Sequence, residues 1–262
     1  MTDLGGLDWR LLGPDTRDGA TNMALDAAAA ETAGAGGPAT ARVYGWDPST
    51  LSLGYAQDPA TVDWAYCERA GVEVTRRPTG GGAIYHDARG DVAYSVVVPA
   101  EAVPGDLLAA YELLCAPVLD AFARLGVDAG FAAEESPAVH EPACYLRALH
   151  PAHDVVGPDG RKLSGNAQYR RKDAVVQHGS LSVSLAPGRH CAPFAADLSE
   201  SRFAERVGAV DEYVDASRAD VVEALCASLA EWSGAEPAAF EASGTSAAGR
   251  GDSDGTSAAG RG

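Results

Sequence analysis

Two stretches hold the residues best equipped for chemistry. The first, Arg161-Lys162-Leu163-Ser164-Gly165-Asn166-Ala167-Gln168-Tyr169-Arg170-Arg171-Lys172, contains both lysines of the 262-residue chain. Arginine carries every other fixed positive charge. Arginine presents a planar fork and lysine a compact point charge on a flexible stem, so a chain that keeps lysine only here needs point-charge geometry here. Lys162 is the candidate; Lys172, beside Arg170 and Arg171, reads as a solvated charge run. The second stretch is Arg76-Arg77-Pro78-Thr79-Gly80-Gly81-Gly82-Ala83-Ile84-Tyr85-His86-Asp87. Three consecutive glycines cost backbone entropy, which is justified where another backbone or a ligand passes through the space a Cβ would fill. Such a loop can turn its N–H groups toward an anion, with Arg76 and Arg77 alongside. Neither a phosphate-binding GxxxxGK[ST] loop nor a GxGxxG dinucleotide fingerprint is present.

The elements that must position these stretches follow from periodicity and turn residues. Residues 22–31 read as a helix after Thr21, with Met23 and Ala27 or Ala30 on one face. Residues 42–46 and 51–55 read as short strands around an Asp47-Pro48-Ser49 turn. Residues 62–70 read as a helix closed by Gly71, leading into a strand over 72–77. The run 91–98 reads as a buried strand, and 106–125 as an amphipathic helix closed by Gly126. A hairpin over Pro158-Asp159-Gly160 spans 154–163, a strand covers 174–183, and a last helix covers 219–232. Helices mixed with hairpins, without regular βαβ alternation, predict an α+β fold: a mixed or antiparallel sheet flanked by helices.

One catalytic domain is expected over residues 1–240. From 242 onward Gly244-Thr-Ser-Ala-Ala-Gly-Arg-Gly251 recurs letter for letter at 255–262. Without large apolar residues this segment cannot offset its ordering entropy, so 241–262 is expected to be a disordered low-complexity tail. The formal charge of −17 disfavours nucleic acid and anionic lipid as partners. It leaves any anionic substrate to a local basic cluster. Scarce lysine and abundant acid suggest a protein built for high salt. No apolar run reaches the roughly 20 residues of a membrane span and no signal-peptide pattern opens the chain, so a cytoplasmic location is expected. Cys67, Cys115, Cys144, Cys191 and Cys226 form no CxxC pair, which argues against disulfides and zinc; no metal ligands are assigned.

The order Arg-Arg-x-Thr-Gly-Gly-Gly-Ala-x-x-His-Asp, then Gly-Arg-Lys-Leu-Ser-Gly-Asn-Ala-Gln, then Gln-His-Gly-Ser-Leu resembles the lipoate-protein ligase and octanoyltransferase branch of the biotin/lipoate ligase family. Asn22-Met-Ala-Leu-Asp26 belongs to the same likeness. The resemblance implies attachment of lipoate or octanoate to a lysine of a lipoyl carrier domain, as in 2-oxoacid dehydrogenase complexes or the glycine cleavage H protein. It implies that Arg76, Arg77, Gly80, Gly81, Gly82 and His86 line the acyl and adenylate pocket, that Lys162 touches the acyl carbonyl and bridging phosphate, and that Gly165 lets the ligand approach. It puts Asp154 on the side of a nucleotide and metal. His86 and His178 are potential proton acceptors, but a histidine beside a strand is commonly a structural hydrogen-bonder, and neither is assigned to catalysis.

Two chemistries fit the family. A ligase uses ATP and Mg2+ to make an acyl-adenylate, and the unbroken Gly80-Gly81-Gly82 favours it, because the cysteine-type transferases often carry a bulkier third residue. This is the leading expectation. The ligases' C-terminal accessory domain has no counterpart here, which would call for a separate accessory protein. The alternative is an octanoyltransferase in which Cys144, in Glu141-Pro-Ala-Cys-Tyr145, takes octanoyl from acyl carrier protein as a thioester. A biotin-protein ligase is disfavoured, since its Gly-Arg-Gly-Arg-x-Gly loop is missing.

Overall fold

The computed structural model describes residues 4–151 and 153–235 and the backbone of 240–241. Its main sheet takes strands from both ends of the chain: β1 (Trp9–Arg17), β2 (Ala39–Trp46), β6 (Asp91–Pro99), β7 (Gly130–Phe131), β8 (Asp154–Val156), β9 (Lys162–Arg170), β10 (Ala174–Ser182) and β11 (Phe240–Glu241). Their order is β11-β1-β2-β6-β10-β9-β8-β7. The pairs β11/β1 and β1/β2 are parallel and the rest antiparallel, so the sheet is mixed, as an α+β reading requires. A smaller sheet, β4-β3-β5, is made by β3 (Thr50–Leu53), β4 (Glu73–Arg76) and β5 (Ile84–His86).

Strand alternation gives the main sheet two faces. Val92, Tyr94, Val96 and Val98 of β6 and Val175 and Leu181 of β10 point into the large core, which α3 (Leu107–Arg124) and α6 (Arg218–Ser233) cover. Val97, Ala174 and Val176 point the other way, onto Ala29, Ala30 and Ala33 of α1 (Gly19–Gly34). Small alanines let this helix lie close on the sheet. Asp18 caps α1, three residues ahead of the expected start, by accepting from Thr21 N at 2.7 Å. The smaller sheet has its own core, built on Leu51, Leu53, Ile84 and Tyr85 and closed by α2 (Trp64–Ala70), α4 (Pro187–Cys191) and α5 (Glu200–Arg206).

The expected elements at 22–31, 42–46, 51–55, 62–70, 72–77, 91–98, 106–125, 154–163, 174–183 and 219–232 all have counterparts here. Two features depart from sequence reasoning. The stretch ahead of the first expected helix, to which no element was assigned, contains strand β1, whose Gly13-Pro14 pair mimics a break; a register shift between Leu12 and Asp15 absorbs it. The hairpin's second arm runs on to Arg170, because a strand buried on a polar surface does not alternate in hydrophobicity. Glu241, assigned to the tail, stands in β11, and the remainder of that segment, 242–262, lies outside the described residues. Among the described residues no helix is long and apolar enough to cross a membrane.

Candidate active site

A cavity of about 330 Å³ opens where the two sheets meet, large enough for a small-molecule chain. Met23, Tyr44, Trp46 and Ile84 give it apolar walls, and Cys144, Asp154 and Lys162 face it from one side. The hairpin β8–β9 builds that side. Asp154 pairs with Gly165 across the ladder, and a register shift between Val155 and Val156 leaves Leu163 as an extra residue on β9. This shift lets Lys162 and Gly165, three positions apart, meet over one patch of the cavity.

Lys162 is only 3% exposed. Its Nζ lies 2.6 Å from Asp154 Oδ1, 3.4 Å from Cys144 O and 4.0 Å from Cys144 Sγ. Burial pulls the ammonium's pKa down, but the Cys144 sulfur and the Asp154 carboxylate outweigh it and the net shift is upward. Burial likewise pushes the Asp154 carboxyl up, and Lys162 and His153 overcome this and hold it at about 2. Asp154 thus lines the cavity as the ion-pair partner of Lys162. Among the described residues no group of three His, Cys, Asp or Glu side chains could hold a metal ion. A Cβ on Gly165 would stand 3.1 Å from Lys162 Cε, 3.4 Å from Nζ and 3.6 Å from Cys144 Sγ, so this glycine makes room for the lysine and the thiol together. Lys172 is exposed, in keeping with a solvated charge.

The glycine loop is organised around Arg77. Its guanidinium donates to Thr79 Oγ1 (3.0 Å), Ser52 O (2.6 Å), Ser52 Oγ (3.3 Å), Gly80 O (2.9 Å) and Gly82 O (2.7 Å). Arg77 lines the cavity, but its donors hold the loop's own carbonyls. Burial lowers its pKa, and the Cys144 sulfur partly opposes that. Arg76, expected in the pocket, lies outside the cavity and donates to Gly54 O (2.6 Å) and Tyr55 O (2.8 Å). β4 ends at Arg76, and the two adjacent arginines diverge there.

The glycines also have different tasks. Gly80 and Gly81 line the cavity, Gly81 with φ of +93°. Gly82 does not; a Cβ there would sit 2.7 Å from Pro142 O, 2.8 Å from Glu141 O and 2.9 Å from Cys144 N. The close approach is sealed by Ala83 N donating to Pro142 O (2.7 Å) and Cys144 N to Ala83 O (2.8 Å). The third glycine therefore seats the cysteine segment.

His86 and His178 line the cavity with both ring nitrogens engaged. His86 lies between Ser52 Oγ (2.9 Å) and Asp91 Oδ2 (2.8 Å) and stacks on Trp46; burial lowers its pKa. His178 lies between Thr79 Oγ1 (2.8 Å) and Asp26 Oδ2 (3.4 Å). Asp26 in turn pairs with the buried Arg42 at 2.6 Å and accepts from Ser95 Oγ at 2.8 Å, while Arg42 donates to Asn22 Oδ1 at 3.0 Å. The Asn22-to-Asp26 stretch is thus a buried polar anchor that reaches the glycine loop through His178, Thr79 and Arg77. Sequence reasoning flagged those two residues only through a family likeness; polar residues on the buried stripe of an alanine-rich helix were the available signal.

Three further cavity residues escaped it. Arg147 sits near the cysteine and pairs with Glu141 at 3.0 Å. Tyr111 of α3 accepts from Gln168 N at 3.1 Å. His153 places Nδ1 3.5 Å from Asp154 Oδ1. All lie in loops or on a helix whose pattern reports only its core face. The arrangement brings a partly exposed thiol beside a buried ammonium, with Arg147 nearby.

Residues 18–230 match the lipoyl protein ligase A/B catalytic domain. An octanoyltransferase LipM of Halalkalibacterium halodurans is 36% identical over 185 residues, 68% of this chain and 66% of that protein. The octanoyltransferase LipM of Bacillus subtilis is 33% identical over the same shares. The matched stretch thus spans just under two thirds of these relatives' length. Among solved structures, lipoate-protein ligase A bound with ATP superimposes with a TM-score of 0.72 at 25% identity, covering 90% of this chain and 88% of that one. A bipartite lipoate protein ligase from Thermoplasma acidophilum, solved in a study of an archaeal lipoylation system with its E2 lipoyl domain, gives 0.67 at 26% identity, covering 90% and 86%.

Proposed function

The chain belongs to the lipoyl protein ligase A/B catalytic family, and from that premise we propose that it is a cysteine-dependent octanoyltransferase, moving octanoyl from acyl carrier protein to a lysine of a lipoyl domain through a Cys144 thioester. The observation that carries this reading is the position of Cys144 Sγ, in the cavity wall and 4.0 Å from Lys162 Nζ. The names of the LipM relatives support it, and the seat that Gly82 gives the Cys144 segment removes the argument that an unbroken glycine triplet favours a ligase.

In the first half of the reaction the Cys144 thiolate attacks the thioester carbonyl. A carbon–sulfur bond forms, the bond to the carrier's sulfur breaks, and the carrier leaves as a thiol after taking up a proton. Lys162 stabilises the thiolate before attack and the carbonyl oxygen's charge during it, and the apolar walls take the chain. In the second half the acceptor lysine's neutral amine attacks the acyl carbon, the carbon–sulfur bond breaks, and the amine proton lost as the amide forms leaves Cys144 as a thiol. A second reading, ATP-dependent ligation of lipoate, draws on the superposition with lipoate-protein ligase A. Against it, Arg77 and Asp154 have their charges committed within the protein.

Incubation with octanoyl carrier protein without ATP, followed by intact mass measurement, tests the choice. The expected product is one octanoyl adduct, labile to hydroxylamine, absent in Cys144→Ser and consumed on adding a lipoyl domain. A Cys144→Ser protein that modifies the lipoyl domain at the wild-type rate, with ATP and lipoate required, refutes the proposal.

A further inference from the structure

The acyl donor in the reaction above is a thioester on the flexible arm of a carrier protein, and that arm must lie between the protein surface and Cys144. The main sheet leaves a track for it. β9 pairs with β10 from Ser164 to Arg170, but with β8 only from Lys162 to Gly165. From Asn166 to Arg170 its outer edge has no partner strand among the described residues, and Gly165, Asn166, Ala167 and Gln168 line the cavity at the start of that edge. An open edge offers hydrogen bonds to whatever passes along it.

Part of this edge is already engaged: Gln168 N donates to Tyr111 Oη at 3.1 Å, and Asn166 Nδ2 donates to His153 O at 2.9 Å. The Gln168 side chain is different. Its Oε1 accepts from Arg170 at 3.4 Å, whereas its Nε2 is buried with no hydrogen-bond partner among the described residues. A buried donor left unpaired is costly, so one in a cavity wall is placed for the acceptor of a ligand. Arg170 stands exposed at the end of the strand. It donates to Pro104 O at 2.8 Å and forms no ion pair among the described residues, while Arg171 is held by Asp173 at 3.1 Å. Asp106, in the loop that Arg170 touches, is engaged in capping α3, where it accepts from Ala109 N at 2.9 Å. Arg170, Arg171 and Lys172 are the only run of three consecutive cations in a chain of formal charge −17.

Spacing decides what fits this track. The thiol lies over Gly165, and at about 3.3 Å per residue Gln168 is roughly 10 Å and Arg170 roughly 17 Å farther along the strand. The four-carbon stem of an acceptor lysine cannot reach the thiol from there. A phosphopantetheine arm can, because at the reach of an extended chain it spans about 15 Å from sulfur to phosphate, with its amides in between. We propose, resting on the transferase reading above, that the outer edge of β9 is the donor-arm subsite: Gln168 Nε2 donates to an amide carbonyl of the arm, and Arg170 pairs with the phosphate at its root. The subsite selects the donor by its arm and leaves the octanoyl chain to the apolar walls.

Three octanoyl thioesters dissect the arm: those of ethanethiol, of pantetheine, which adds the amides, and of phosphopantetheine, which adds the phosphate. The rate of Cys144 acylation by each, without ATP, is followed by intact mass. Wild type is expected to prefer phosphopantetheine to pantetheine, and pantetheine to ethanethiol, by about 10-fold at each step, the scale of a charge-assisted or buried hydrogen bond. Arg170→Gln brings the first ratio close to one and keeps the second; Gln168→Leu brings the second close to one and keeps the first. A merely structural role would slow all three thioesters alike and move neither ratio, and that result overturns the proposal. Equal rates with all three thioesters in wild type overturn it too, while leaving the transferase reading standing. Failure of wild type to form an adduct with any thioester or with octanoyl carrier protein overturns the transferase reading and this subsite with it.

Discussion

Gly82→Ala is the sharpest perturbation of the site that leaves every charged and nucleophilic group in place. The new Cβ would lie 2.7–2.9 Å from three atoms of the cysteine segment, Pro142 O, Glu141 O and Cys144 N. All three are main-chain atoms, so no side-chain rotation relieves the clash. Ordinary contact lies near 3.5 Å or beyond, so the segment must retreat by roughly 0.5 Å or more. That retreat strains the Ala83 N to Pro142 O and Cys144 N to Ala83 O hydrogen bonds. Overpacking of this kind costs about 1–3 kcal/mol, and at roughly 2–4 °C per kcal/mol for a domain of this size the melting temperature falls by about 2–12 °C.

The kinetic effect is larger than the loss of stability. Displacing Cys144 Sγ from Lys162 by even a fraction of an ångström degrades the thiolate's positioning, and an error of about 1 Å costs on the order of 100-fold in rate. Gly80→Ala is the internal control for the fold: a Cβ there meets nothing within 4 Å, so its melting temperature should match wild type. The assays are thermal unfolding of both variants and the rate of octanoyl adduct formation on Gly82→Ala. If Gly82→Ala melts with wild type and acylates at the wild-type rate, the packing of the glycine loop on the cysteine segment is not what positions the thiol.

Two further outcomes follow from Lys162 and Asp154. Lys162→Arg should lose about 100-fold or more in adduct formation, almost as much as Lys162→Ala, since a planar fork does not reproduce a point contact between a carboxylate and a sulfur; full activity in Lys162→Arg refutes the role. Asp154 titrates lower in the folded protein, at about 2, than in the unfolded chain, where carboxyls titrate near 4. Its ion pair therefore stabilises the fold above about pH 4, by roughly 2 kcal/mol, and that contribution drains away as pH falls toward about 2. In Asp154→Asn, urea melts should show a deficit at pH 7 that narrows toward pH 3; a deficit independent of pH would exclude the ion pair as its source.

Much of this fold was legible because its core elements announce themselves. The run 91–98 and the amphipathic 106–125 are read correctly from hydrophobicity, since each has a face or a length that nothing but the core can take. β9 is a different case. Ser164, Gly165, Asn166 and Gln168 are chosen by the cavity and by Tyr94 and Tyr111, so the strand shows no alternation. At the site, the glycine triplet and Lys162 were visible as unusual expenditures of entropy and of residue type. Which arginine mattered was not visible: Arg76 and Arg77 are chemically identical neighbours, and only the end of β4 sends one outward and one into the loop. His153 left no trace as a cavity residue either, because Asp154 and Lys162 become its neighbours only through the hairpin.

The chain's preference for arginine has a physical reading in these contacts. Arg77 spends its fork on five acceptors in three residues' backbone and two hydroxyls, and Arg42 spends its own on Asn22 and Asp26. Both are buried, and both cross-link segments distant in sequence; a lysine could satisfy only part of either set. Lys162 faces the opposite requirement. One carboxylate oxygen and one carbonyl take two of its protons, the Cys144 sulfur lies 4.0 Å away, and the Tyr145 ring centre is 5.6 Å from Nζ. A second fork nitrogen would find no acceptor there and would fill the space Gly165 keeps open. Arginine holds the scaffold together, and the one buried lysine stands beside the thiol, the contact on which the proposed transfer depends. On this view the near-absence of lysine from the rest of the chain is compatible with function because every other buried cation in the site has a structural, many-acceptor task.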